Sequence, residues 1–488
     1  MQPSEGHDIT TRHPKDPPAR PEAPPGNSAT DQPGRIKATP HKPIGRAAAL
    51  LIATLTIAWI TAVALGPAAV DAPYDSARYL GWIAAMILAG LAFAALCPAL
   101  ARHRSAKWLI FILLAGFAMR AASFATPPII EDDYHRYLLD GAATAAWLDP
   151  FETSPEQLLA GEAGDAHLTL LEHPEARAHL ERINHPHLRT IYPPTAQAAF
   201  AAAHFIEPWS VNALRAVFLF LEVVTLAALA AALGALRLPT LLLGIYWLNP
   251  IVIGQITLQA HMDVLVFAPV AAAVAARLRQ HCTLAGVFLG LAIGAKLWPL
   301  LLLPALASPK LALTRKNSLR LAIATTITSA LCLTPAASAL GENSGLQAYT
   351  ATWENNAFLF PIIEQAAAAL TATLGITSIT PGALARITVA SIVGAMALAA
   401  ARRGSEHALP RRLLTVVAAL FFLSPTQFPW YFTWLAPLLV FAPRSALRLS
   451  VPLLPLYYLT PALAWLSAVQ HAPPLLTAAA KRLLRPNR

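Results

Sequence analysis

Glu131-Asp132-Asp133-Tyr134-His135-Arg136-Tyr137 stands directly after an apolar run, and Asp140-Gly141 follows shortly behind. Acids, a guanidinium and a phenol so close together suit one chemistry well. A carboxylate can take a proton from a hydroxyl while a neighbouring cation steadies a phosphate leaving group. Arg136, Tyr137 and Asp140 follow Asp133 at helical spacings, so a helix starting near Tyr134 turns Asp133 and Asp140 toward one cavity with Tyr137 between them. Asp133 is the expected base, held ionised by Arg136, and Asp132 is the alternative. Both acids also fit a structural role as N-caps of that helix.

Other polar residues stand at the ends of apolar runs. His261 and Asp263 close one such run and could approach a phosphate or a sugar hydroxyl; an ordinary polar helix end is the plain alternative. Lys296 lies in a short apolar helix, where an ionisable group is a functional candidate and a lysine serves a lipid phosphate as a point charge. Gln197, in Tyr192-Pro-Pro-Thr-Ala-Gln197, could bind sugar, but its main expected role is shape, on an interfacial or re-entrant helix with proline near its first turn. Glu222 sits mid-helix seven residues after Arg215, on the same face, which predicts a structural ion pair. The loop histidines His167, His173, His179, His185 and His187 show no regular metal spacing. Asp132-Asp133 could hold a divalent cation, but no metal and no cofactor is expected. The three cysteines, Cys97, Cys282 and Cys332, give neither a disulfide framework nor a metal site.

The elements that must position these residues are membrane helices. The chain has 488 residues, 56% hydrophobic and 13% charged, against about 25% charged in a soluble protein. Its apolar runs reach the roughly 20 residues that cross a bilayer as a helix. They are 47–65, 80–100, 108–124, 211–236, 241–258, 264–276, 319–340, 384–401, 413–423 and 451–468, with broken pairs at 284–307 and around 424–434. The expected fold is all-α and polytopic, with about 12 to 13 crossings. Residues 1–46 are Pro-rich and polar, without an apolar run or signal peptide, and predict a disordered cytoplasmic tail. Residues 47–470 make the membrane domain, and 471–488 a basic tail.

Charge sets the expected topology. Arg102, Arg104, Lys107, Arg277, Arg279, Lys310, Arg315, Lys316, Arg402, Arg403, Arg411, Arg412, Arg444 and Arg448 fall on one side when crossings are counted, the positive-inside pattern. The net charge of +10 therefore calls for no nucleic-acid partner. With a cytoplasmic N-terminus, residues 127–210 form a long outer-face loop of short interfacial helices. That loop carries 13 of the 26 acids.

Six stretches complete the reading: Asp132–Gly141, Trp147–Phe151, Ile183–Gln197, Trp247–Asp263, Ala295–Pro304 and Ser424–Leu438. In this order they resemble the membrane glycosyltransferases of the GT-C superfamily, nearest to glycosyltransferase family 87 and the bacterial polyprenol-phosphate-mannose-dependent α-mannosyltransferases. The likeness spans about residues 47–440. It implies a multi-spanning fold, an outer-face active site, a polyprenyl-phosphate sugar donor and a glycan or glycolipid acceptor. It also makes Asp133 the catalytic carboxylate, with Arg136, Tyr137 and Asp140 in the same site. Departures at Leu139, Ala142 and Asp149-Pro150-Phe151 alter side chains lining the site rather than the acid. The expected activity is inverting transfer of a hexose, mannose first, in the plasma or inner membrane. Two rivals remain. A transporter would show related halves, and no internal repeat is visible. A lipid-linked polysaccharide polymerase or ligase would lean on Arg and His rather than paired acids. No P-loop or dinucleotide fingerprint points to a nucleotide-sugar donor.

Overall fold

The computed structural model describes residues 45–339, 345–461, 463 and 465–483. Nearly all of the Pro-rich segment 1–46 thus lies outside the described residues. Among these residues the secondary structure is helical, with no strand beyond a single Asn355–Thr426 bridge. The chain is an all-α polytopic membrane protein. Six helices are long and apolar enough to cross a bilayer: Arg46–Val70, Ala77–Leu100, Ala106–Phe124, Val211–Ala235, Arg315–Ala336 and Pro381–Ala400. A seventh candidate is the pair Thr240–Trp247 and Pro250–Leu258, bent by 42°.

The other apolar runs fold as shorter or broken helices, so full-length helices fill only part of the expected 12 to 13 crossings. Val264–Leu278 and Cys282–Ile293 are two of these. Residues 298–306 and 429–439 are two-part elements in which a 3₁₀ turn leads into an α-turn, at the breaks expected there. Phe360–Leu374 is a further short apolar helix, outside the runs expected from the sequence. Leu466–Leu483 runs through the expected boundary at 470, so most of the predicted C-terminal tail is helical.

Local chemistry sets the ends. Ser76, Ser105, Ser210, Thr314 and Thr380 each accept a backbone N–H of the first turn they precede, which removes one orphan donor per helix. The long loop holds helices Tyr134–Ala145, Pro155–Ala160, Asp165–Leu168, Ala176–Leu180 and Pro194–Ile206. The first and last of these pack on each other. Gly141 allows this closeness, since a Cβ there would lie 2.6 Å from the Phe200 carbonyl oxygen.

The ion pair buried on both sides in the bundle differs from the expected one. Glu222 pairs with Arg120, not Arg215. Both side chains are buried, Thr257 donates to Glu222 at 2.8 Å, and Arg120 also donates to the Trp247 carbonyl at 2.8 Å. Arg120 sits 3.6 Å over the Trp247 ring, an approach open because residue 116 is glycine: a Cβ there would meet Trp247 at 2.3 Å. Helical spacing cannot reveal such a partner, because Arg120 comes from another helix. Arg215 donates instead to the carbonyls of Thr126, at 2.8 Å, and Leu258. It thereby pins two chain segments just before each delivers polar residues to the same place.

Candidate active site

The Ala106–Phe124 helix ends at Phe124, and the chain then runs without helix to Asp133. Gln259 Oε1 holds this stretch by accepting the backbone N–H of Ile129 at 2.9 Å and Ile130 at 3.4 Å. Gln259 itself follows a π-helical segment, Ile253–Leu258, and Ala260 takes a left-handed conformation with φ +60°. A π-turn followed by a non-glycine in that region costs on the order of 1–3 kcal/mol and concentrates where side chains must be aimed. Here it aims His261 between two carboxylates. Nδ1 of His261 lies 3.5 Å from Asp133 Oδ2 and Nε2 lies 3.9 Å from Glu131 Oε2. The ring is fully buried and stacks on Trp430 at 4.0 Å, which stacks on Phe428 at 4.2 Å.

Asp133 occupies the N-cap position of the Tyr134 helix, but its carboxylate makes no capping bond. It is directed elsewhere, toward His261 and the Tyr137 hydroxyl at 3.5 Å. Burial pushes its pKa up, but the interaction with His261 and the charge of Lys296 outweigh burial and hold it below the ordinary carboxylate value. Asp132 is shifted the other way, upward, by burial and by the Asp133 charge. Its carboxylate accepts from Asn184 at 2.5 Å.

Asp132, Asp133, Arg136 and Tyr137 line one cavity of about 870 Å³, counted with its open space, together with Asp263 and Lys296. Arg136 donates to the carbonyl of Leu188 at 3.1 Å and makes no carboxylate contact within 4 Å among the described residues. Arg189 lines the same cavity, and its Nε is buried without a hydrogen-bond partner among the described residues. The aromatic rings of Tyr349, Trp353, Trp430 and Tyr431 line it as well. Tyr349 and Tyr431 are joined by their hydroxyls at 2.7 Å.

Four expectations need correction. Asp140 does not share the cavity with Asp133. It is buried among loop side chains, accepting from Thr190 and from Gln197 Nε2 at 3.0 Å, and burial lifts its pKa to about 6. Gln197 Nε2 is likewise engaged, also donating to the Tyr192 carbonyl at 3.0 Å; both residues fasten the loop instead of lining the cavity. His261 is fully buried and is not on the cavity's wall. Lys296 lies between helices, past Ile293, and its charge is matched: Nζ donates to Asp263 Oδ1 at 2.6 Å and lies 4.6 Å over Tyr431. Asp263 also accepts from Trp434 Nε1 at 2.6 Å.

Sequence reasoning did not single out Glu131, Arg189, Trp430 or Tyr431. The first resembles its acidic neighbours, the second lies in the Ile183–Gln197 stretch with no spacing that sets it apart, and the aromatic pair has no spacing signal of its own. No group of three or more His, Cys, Asp and Glu side chains converges as metal ligands among the described residues.

Comparison with known proteins gives one family. Residues 190–425 match the model of glycosyltransferase family 87. The matched region holds Gln197, His261, Asp263 and Lys296, and the acidic stretch 131–140 precedes it. No match was found among curated proteins or among solved structures.

Proposed function

We propose that this chain, a membrane glycosyltransferase by its family 87 region, transfers a hexose, mannose first, from a polyprenyl phosphate to a glycan or glycolipid hydroxyl at the outer membrane face. The observation that carries this reading is the division of labour in the cavity. An ionised carboxylate free of any capping bond, Asp133, faces a space in which two of the three Lys and Arg cations, Arg136 and Arg189, have no carboxylate bonded to them among the described residues.

In this reading the acceptor hydroxyl oxygen attacks the anomeric carbon. The carbon–oxygen bond to phosphate breaks with its electron pair leaving on the polyprenyl phosphate, and the hydroxyl proton passes to Asp133. Attack from the face opposite the phosphate inverts the anomeric centre. Arg136 and Arg189 meet the charge that develops on the phosphate, where preorganised donors contribute most. They supply the compensation that a divalent cation gives elsewhere, so we expect no metal requirement. The aromatic wall of Tyr349, Trp353, Trp430 and Tyr431 offers flat apolar faces to a sugar ring, and polar groups at its edges set orientation. The basic flanks support an outer-face Asp133 and a cytoplasmic N-terminus.

A panel of polyprenyl-phosphate sugars offered to the purified protein in lipid tests this reading, scored for transfer or hydrolysis. Consumption of none of them sinks it. Impermeant labelling of a single cysteine at 133 from the cytoplasmic side alone would overturn the topology.

A further inference from the structure

A second cavity of about 1130 Å³, counted with its open space, lies on the other side of His261 from the first. Tyr74, Ile130, Glu131, Asn355, Tyr457 and Tyr458 are among its walls, and no Lys or Arg is. Asp133 belongs to the first cavity and Glu131 to the second. His261 lies between them, fully buried, with one ring nitrogen toward each acid. Neither nitrogen has a hydrogen-bond partner among the described residues. An imidazole with two unengaged nitrogens between two acids of different compartments has more than a packing role.

We infer that Glu131 is the exit of a proton relay, in which the proton taken by Asp133 passes through His261 to Glu131 and leaves by the second cavity. This rests on the reading of Asp133 as the base. The substrate O–H breaks as an Asp133 O–H forms. Asp133 then gives its proton to Nδ1 of His261, and the proton on Nε2 moves to a Glu131 oxygen and on to water. When product has left and water reaches Asp133, Nδ1 gives its proton through Asp133 to that water and Nε2 regains one through Glu131. The starting tautomer is restored, one proton has gone to bulk water over the cycle, and what Glu131 supplies is the outlet while the first cavity is still filled. The 3.5 and 3.9 Å separations are those of a resting site, which tightens when substrate binds.

Three further observations support the direction. The first cavity is where a lipid phosphate would sit, so water reaches Asp133 poorly while substrate is bound. Burial lifts Glu131 to about 7, opposed by His261 and assisted by Asp133 and Asp132, whereas Asp133 is held low, so the proton moves toward the better acceptor. The Trp430 and Phe428 stack holds the imidazole plane fixed between the acids. The groups facing Glu131 are His261, Asp133, Asp132 and Tyr458. Tyr457 also faces it, and Tyr74 shares its cavity.

The test uses the full chain in lipid nanodiscs with polyprenyl-phosphate mannose, scoring hydrolysis so that the acceptor's identity is not needed. The relay requires Glu131 ionised. Wild-type turnover should therefore fall as pH drops through about 7. Glu131→Gln, which keeps shape and donor binding, should lose that acid limb and turn over roughly tenfold or more slower above it. Glu131→Asp, which keeps a carboxylate, should restore the limb in part. A purely structural Glu131 would leave the limb in place. Asp133→Asn inactive while Glu131→Gln keeps the wild-type rate and limb would overturn the relay alone. No donor hydrolysis by the wild type, or full hydrolysis by Asp133→Asn, would remove the reading of Asp133 and the relay with it.

Discussion

The buried charge around Glu222 and that around His261 are built to opposite rules. Around Glu222 the carboxylate is met by Arg120 and Thr257, and Arg120 also donates from Nη1 to the carbonyls of Gly116 and Trp247. Both side chains are almost fully inaccessible. Around His261 the distances are longer, the ring nitrogens are unengaged, and Asp133 keeps a third of its side chain accessible. A saturated network rigidifies, because any change leaves a buried charge alone. An unsaturated one keeps capacity for a substrate or a moving proton. Burial of charge alone does not separate structure from chemistry here; the count of unmade bonds does.

The largest expected effect tests the unsaturated cluster. Asp133→Asn keeps size and most hydrogen bonding but cannot accept a proton, so turnover should fall by about 10²–10⁴ with folding and donor binding retained. Asp132→Asn should cost far less, about tenfold at most, since its carboxylate accepts from the Asn184 side chain and a bond of that kind contributes about 1 kcal/mol. Steady-state rates of the two purified variants decide it. Near-normal turnover by Asp133→Asn with Asp132→Asn inactive would move the base one residue back.

The saturated cluster predicts the converse, a loss of stability. Glu222→Gln should destabilise the bundle by about 3–5 kcal/mol, because Arg120 is left buried without its partner. Arg120→Leu combined with Glu222→Leu should recover much of this, since removing both charges removes the desolvation cost. Unfolding in detergent, followed by tryptophan fluorescence, measures both. Equal losses in the single and double variants would show that the pair is not what binds these helices.

Next come the cations of the cavity. Arg189→Gln should weaken donor use by about one to two orders of magnitude, from roughly 1.5–3 kcal/mol for a charge-assisted contact. Lys296→Met should act differently, because that lysine is matched by Asp263. It should lower stability more than donor affinity, and Asp263→Asn in the same chain should restore part of the stability. A donor KM raised by Lys296→Met and unchanged by Arg189→Gln would exchange their roles.

Much of this arrangement was legible from residue order, and the rest was not, for physical reasons. The apolar runs, the breaks near Pro299 and around 424–434, and the proline-started helix at Pro194 follow from composition and local backbone limits. The helical spacing of Asp133 and Tyr137 placed both at one cavity wall. The same spacing misplaced Asp140, because helix phase says where a side chain starts and not which loop closes over it; Thr190 and Gln197 took that carboxylate instead. Glu222 was matched to Arg215 by the same local logic, whereas its partner Arg120 comes from a separate helix. The position of His261 depends on a π-turn and a left-handed Ala260, and neither has a sequence signal.

The smallest predicted effect belongs to the loop that covers the site. Nδ1 of His135, on the Tyr134 helix, lies 2.7 Å from Nδ1 of His179, which stacks on Trp209. One nitrogen of this pair must be bare, so the contact survives only while the imidazoles are not both charged. Burial, then the His179 and Arg182 charges, lower the His135 pKa from 6.5 to about 4. With the folded value below the unfolded one, the unfolded chain binds more protons below pH 6.5. The stability His135 contributes is therefore complete above that pH and is lost as pH falls toward about 4. Asp140 works against this, since its raised value, about 6, makes the folded state the better proton binder in part of the same range. A wild-type stability curve alone would mix the two. The difference between wild type and His135→Phe isolates the histidine, with a relative loss in the wild type on the order of 1–2 kcal/mol between pH 7 and pH 5. Proteolysis of the 127–210 loop at the two pH values gives a local readout, and equal pH slopes in both proteins would remove His135 as the cause.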